Sequence, residues 1–112
     1  MAKLKPPTPP KTLGADGRRY WMAVTGEYEF GAHELEGLRL ASEALDVAAQ
    51  ARAEVAEYGS LTFTTKSGEL RPHPGVAQER DARSSFARIV ALLKLPDEAG
   101  APRGVGRPGR RF

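Results

Sequence analysis

Cysteine is missing from all 112 residues, which removes disulfide frameworks and thiolate metal sites from consideration. No apolar run approaches the roughly 20 residues needed to cross a bilayer. The opening MAKLKPPTPPK has no apolar stretch of the kind a secretory leader carries, so it does not read as one. Large core-forming residues are also scarce: one Trp, three Tyr and four Phe. A domain of this length buries only roughly 60–65% of its unfolded surface. The expectation is one small, soluble, intracellular domain whose core is thin or is completed by neighbouring subunits.

Acidic residues are absent from both ends, and this is where the net charge of +3 originates. Residues 1–11 hold Lys3, Lys5 and Lys11 without an acid, and residues 101–112 hold Arg103, Arg107, Arg110 and Arg111 without one. Between 12 and 96, ten basic residues face twelve acidic ones. The body is mildly acidic and the ends are cationic, a distribution suited to nucleic acid or to an acidic partner.

The chain divides into a Pro/Lys-rich N-terminal arm (1–11), a helical core (12–96) and a Gly/Pro/Arg-rich flexible tail (97–112). Pro6, Pro7, Pro9 and Pro10 forbid helix in the arm and favour extended polyproline geometry, so it reads as a semi-stiff arm apart from the core. From Ala15 to about Tyr28, the apolar residues Tyr20, Trp21, Val24 and Tyr28 recur at helical steps. Gly17 and Gly26 weaken that helix, by roughly 1 kcal/mol each relative to Ala. Ala32 to Tyr58 is the longest helical signal. Its stripe of Leu35, Leu38, Ala41, Leu45, Ala48, Val55 and Tyr58 is interrupted where Arg52 falls, and Gly59 follows as a stop. Alanine dominates that stripe, which suits close approach of another backbone in a helical hairpin or a subunit contact.

Leu61, Phe63 and Thr65 alternate with Thr62 and Thr64, the period of a half-buried strand. A turn at Lys66-Ser67-Gly68-Glu69 returns the chain through Leu70, and Pro72 ends the second strand. Pro74 suits a first helical turn. Val76, Ala82, Phe86, Ile89, Val90 and Leu93 then form an apolar face, with Arg80, Arg83 and Arg88 largely elsewhere and Pro96 as the end. The expected fold is mainly α: about three helices, the second long, a short β-hairpin before the last, and disordered basic termini.

Chemistry-bearing motifs are few. His33 and His73 are far apart in the chain, with no cysteines to join them in a zinc site. No Gly-Lys-Ser/Thr phosphate loop occurs, and Gly104, Gly106 and Gly109 are not bracketed by a strand and a helix. Glu34, Glu36, Glu43 and Glu54 fall at helix-surface spacing and read as a solvated face. Ser84-Ser85 lies within a helix with no neighbouring base. His73, between two prolines, reads first as a cap or turn residue bonded to local backbone and second as a DNA or partner contact. Tyr20, Trp21, Tyr28 and Phe30 read as core packing in preference to base stacking. Catalytic residues, metal ligands and cofactor-binding residues are therefore expected to be none.

The ordering of signals over Lys11 to Pro96 resembles the small subunits of phage terminases. The matching features are Leu13 before a helix with Tyr20-Trp21-Met22, and a long Ala/Leu-rich helix ending at Glu57-Tyr58-Gly59. A strand-turn-strand, Arg71-Pro72-His73-Pro74 and a closing helix up to Leu93-Lys94-Leu95-Pro96 complete the match. The resemblance implies a non-enzymatic subunit that assembles as a homo-oligomer, commonly a ring. It implies binding to double-stranded viral DNA in the bacterial host cytoplasm and delivery of that DNA to the terminase large subunit, which holds the ATPase and nuclease. No cofactor and no membrane partner are implied. No helix-turn-helix is visible, so no recognition helix is named.

The DNA contacts expected within that reading are Lys3, Lys5, Lys11, Arg103, Arg107, Arg110 and Arg111. The competing role for the same residues is solubility, or docking to an acidic large subunit. A structural head adaptor or connector that does not touch DNA is the alternative function. A small nuclease dependent on His73 comes last, because its further metal ligands are not identifiable.

Overall fold

A computed structural model describes residues 5–95. It contains three helices, α1 (Ala15–Glu27), α2 (Ala32–Tyr58) and α3 (Pro74–Leu93), with strands β1 (Thr62–Thr64) and β2 (Leu70–Pro72) between the last two. The mainly helical reading, with a long second helix and a hairpin before the third, is the observed fold. At about 1.5 Å per residue α2 extends roughly 40 Å and serves as the spine on which the other helices lie.

The connections follow from local chemistry. Glu34, in the first turn of α2, reaches back to the Gly31 N–H at 2.8 Å. Gly59 ends the helix in the left-handed region at φ 91°, its N–H bonded to the Val55 carbonyl. In the hairpin, Thr62, Phe63 and Thr64 oppose Pro72, Arg71 and Leu70, antiparallel. Thr65 organises the turn: its carbonyl accepts from Gly68 and its hydroxyl from the Glu69 N–H. Phe63 and Thr65 are half-buried as their alternation implies, but Leu61 is 65% exposed. One strand residue expected inside therefore faces solvent.

Pro74 opens α3, and the helix stops at Leu93 with Lys94 in a left-handed cap at φ 52°. The closing residue of α3 therefore precedes Pro96, which lies outside the described residues. A Cβ on Gly75 would meet Val55 Cγ2 at 2.8 Å, and one on Gly37 would meet Leu93 Cδ2 at 3.2 Å. Each end of α2 thus meets the opposite end of α3, so the pair is antiparallel, and the missing Cβ at Gly75 allows the start of α3 to seat against Val55.

Placement of α1 depends on Asp46. The α1 N-cap is Gly14, which has no side chain to satisfy the free amides of a helix start. Asp46 of α2 supplies the acceptors instead: Oδ2 takes the Gly14 N–H at 2.7 Å and Oδ1 the Gly17 N–H at 2.8 Å. Gly17 sits so close that a Cβ there would lie 2.5 Å from Asp46 Oδ2 and 2.6 Å from the Ser42 carbonyl. Gly17, which costs intrinsic helix stability, is the residue that permits this approach. Arg52, the interruption in the α2 stripe, lies 3.7 Å from Asp16 of α1 and 3.1 Å from Glu79 of α3, tying all three helices.

The core is thin. Its buried hydrophobic residues are Leu13, Trp21, Val24 and Leu38 together with Ala41, Ala48, Ala51 and Ala82. Tyr20, Tyr28, Phe30, Leu35 and Leu95 pack around the four large ones. Tyr20 meets Phe86 of α3 edge-to-face at 5.1 Å, and Tyr28 meets Phe30 at 6.5 Å. The aromatic stripe is core packing. Burial pushes the Tyr20 phenol above its ordinary value, and the nearby Tyr28 adds to the shift. Among the described residues, the Ser42 hydroxyl is buried at the α1–α2 crossing without a hydrogen-bond partner.

These contacts reverse an ordinary rule. Gly→Ala inside a helix normally stabilises by about 1 kcal/mol. Gly26→Ala, with open space around it, should follow that rule, whereas Gly17→Ala should destabilise by about 1–3 kcal/mol through overpacking. Asp46→Asn retains one acceptor oxygen for two donors and should cost about 1–2 kcal/mol. Ser42→Ala should be neutral or stabilising by about 1 kcal/mol, since it removes an unpaired buried hydroxyl. Urea denaturation of the four variants checks all of these signs.

Candidate interaction surfaces

The expected DNA-contact residues divide sharply. Lys5 and Lys11 are exposed, on either side of the prolines of the arm. Lys3, Arg103, Arg107, Arg110 and Arg111 lie outside the described residues.

The arm is not detached from the body. The Trp21 indole N–H donates to the Pro7 carbonyl at 3.0 Å, and Pro9 and Pro10 are half-buried. A turn closes behind them, with the Leu13 N–H on the Pro10 carbonyl at 3.3 Å. Leu13 then enters the core beside Trp21. The stiff polyproline reading is compatible with this docking, since an extended proline segment leaves its carbonyls free to accept. Sequence reasoning missed the attachment because Trp21 was fully accounted for as a core residue, and its polar N–H was not asked for a partner.

His73 caps α3. Its backbone is extended, and its Nδ1 accepts from the Gly75 N–H at 2.9 Å. Its ring also meets Tyr58 edge-on at 5.2 Å, and its backbone N–H donates to the Leu61 carbonyl at 2.7 Å. One residue thus joins the end of α2, the hairpin and the start of α3. His33 is exposed in the first turn of α2, remote in the chain from His73. Among the described residues, no group of three His, Asp or Glu side chains is placed to hold a metal ion. No helix among them is long and apolar enough to cross a membrane.

The surface carboxylates have structural partners. Arg39 forks between Glu36 and Glu43 along α2. The hydrogen bond from Arg39 holds the Glu36 carboxyl below its ordinary range, and the two acids raise Arg39 in turn. Glu54 accepts from Gln50 at 3.2 Å. This is the solvated face read from the spacing.

Two surfaces went unseen in the sequence. An open groove of about 630 Å³ runs along the α2–α3 seam, floored by Val47, Ala51 and Ala82 and edged by Glu54 and Asp81. Among the described residues, no basic one lines it. Leu40, one heptad before Val47, and Leu92, one heptad after Ser85 of the groove wall, continue an apolar line on the surface, at 43% and 74% exposure. The hairpin adds the second, with Leu61 and Leu70 exposed at its base and return strand. Of the two uses open to the alanines of α2, packing in a helical hairpin is the one observed, with Ala41, Ala48 and Ala51 buried within the chain itself.

Comparison with protein families, with characterised proteins and with solved structures finds no match for this chain.

The cap predicts the behaviour of His73. His73→Ala should lower stability by about 1 kcal/mol, the usual loss for an N-cap acceptor, with little change in any DNA affinity. A large loss of DNA binding at unchanged stability would reassign His73 from cap to contact.

Proposed function

We propose that this chain is a DNA-binding, self-associating subunit of the phage terminase small-subunit type. In this reading it engages double-stranded viral DNA and presents it to a separate ATPase–nuclease, with no reactive centre of its own. The observation that carries the reading is the segregation of charge. Cationic arms flank a mildly acidic helical body, and the described arm lysines, Lys5 and Lys11, are exposed. The order of elements supports it as well, since the hairpin and its Arg71-Pro72-His73-Pro74 exit lead directly into the last helix.

Physically, cationic ends neutralise phosphates and release condensed counterions, without reading base sequence. Self-association multiplies each weak arm contact through effective concentration. A structural head adaptor shares the size and helices of this chain. The exposed groove and hairpin leucines, with acids and no bases along the groove, are the observation that favours such a protein–protein role.

The two readings separate on DNA. The full chain should bind duplex DNA with a steep salt dependence, each phosphate contact contributing about −0.9 to the slope of log K against log salt. Replacing Arg103, Arg107, Arg110 and Arg111 by Ala should flatten that slope, by up to about 3.6 if all four contact phosphate. An unchanged slope removes the tail from the DNA interface. Absence of binding at low ionic strength, with co-purification of shell or portal components, gives the adaptor reading instead. Light scattering should report an assembly larger than a monomer at micromolar concentration.

A further inference from the structure

The attachment of the arm has the chemistry of a recognition site. Trp21 is the only tryptophan in the chain and is 4% exposed, yet its indole N–H is satisfied by a backbone carbonyl from the proline-rich lead-in. Aromatic walls that present an N–H to the carbonyl of an extended proline segment are a recurrent mode of peptide binding. The ligand suits that mode because a proline segment is already extended, so little conformational freedom is lost on docking. Here the ligand and the site belong to one chain.

We propose that Trp21 and the adjoining Leu13 turn form a binding site for a proline-rich segment, filled in cis by the chain's own arm and in trans by the arm of a second copy. Two features favour exchange over simple release. The cis contact is local, made of one side-chain hydrogen bond from Trp21 and two half-buried prolines, so the arm of another copy can reproduce it. Release without replacement uncovers the Trp21 ring to water and loses that apolar burial. Exchange keeps the burial and the hydrogen bond, because the incoming segment is identical. Every other copy of the chain carries that segment.

The hinge is visible. Lys11 and Thr12 are exposed within the turn closed by the Leu13 N–H and the Pro10 carbonyl. Opening that hydrogen bond together with the Trp21–Pro7 one redirects the arm while α1 remains seated on Asp46. Exchange of an identical element between protomers is a low-cost route to assembly. The inference deepens the self-association in the proposed function and rests on that part of it. It also places Lys5 and Lys11, as candidate phosphate contacts, at a junction between subunits.

The absence of cysteine and the single tryptophan allow a direct test on the full chain. A Lys5→Cys chain carrying a nitroxide is mixed with an equal amount of unlabelled-cysteine-free, 15N-enriched native chain. Exchange places the spin label of one copy beside Trp21 of the other, so the lone indole N–H resonance of the 15N chain should lose up to about half of its intensity relative to the reduced label, the share of labelled arms in an equal mixture. Unchanged intensity at several hundred micromolar overturns the proposal. Adding Pro7→Gly, Pro9→Gly and Pro10→Gly to the labelled chain should restore the resonance. Persistence of the broadening there means proximity without docking, which also overturns it.

A second measurement uses a fluorescein-tagged peptide of residues 2–11. It should bind the full chain bearing the three glycine substitutions at least tenfold more tightly than the native chain, whose site is already filled. Equal affinities, or no binding to either, count against the site. Neither measurement contains DNA, so a chain that assembles without exchanging arms defeats this inference while leaving the DNA reading intact. A chain that exchanges arms but ignores DNA does the reverse.

Discussion

A carboxylate halfway along the spine helix does the work that a cap residue at the start of α1 would ordinarily do. Asp46 binds the Gly14 and Gly17 amides through separate oxygens, and the approach is possible because Gly17 has no side chain to obstruct it. The start of α1 is thereby fixed on α2. Trp21 and Val24 follow into contact with Leu38, and Tyr20 is carried to Phe86 of α3. With Arg52 drawing Asp16 and Glu79 together, polar contacts set the registry of three helices whose apolar core is too small to set it alone.

The thin core has a consequence for the surface. A chain that buries four large hydrophobic residues and four alanines leaves other apolar side chains outside. Val47 and Leu40 lie along one side of the α2–α3 seam, and Leu61 and Leu70 on the hairpin. The groove edged by Glu54 and Asp81 would set acid against acid if two copies met face to face there. The proposed exchange of arms avoids that repulsion, because the docking is neutral and its ligand is present on every chain.

The cationic ends and the helical body thus divide the labour in the proposed function. The ends supply charge without geometry, and the body supplies geometry without a favourable charge. The arm belongs to both. Lys5 and Lys11 face solvent while Pro9, Pro10 and the Pro7 carbonyl face the body. A segment of that dual character links self-association to polynucleotide contact without needing a recognition helix.

Local periodicity and punctuation determined much of the architecture. The 3.6-residue spacing of apolar residues, the prolines at 72 and 74, and the Ser67-Gly68 turn place three helices and a hairpin in order, because each depends only on neighbours a few residues away. The cap role of His73 was legible for the same reason, as its partner is Gly75. The position of α1 was not. No local pattern distinguishes Asp46, Gly17 reads as a cost to its helix and Arg52 as an interruption of a stripe, because each has partners about thirty residues distant. The docking of Pro7 on Trp21 was hidden likewise, since burial accounts for the indole ring but not for the destination of its N–H. Composition and periodicity determined which segments form and where the charge lies; only the tertiary structure decided which polar groups meet across the helices, because that depends on distances through space that no sequence separation encodes.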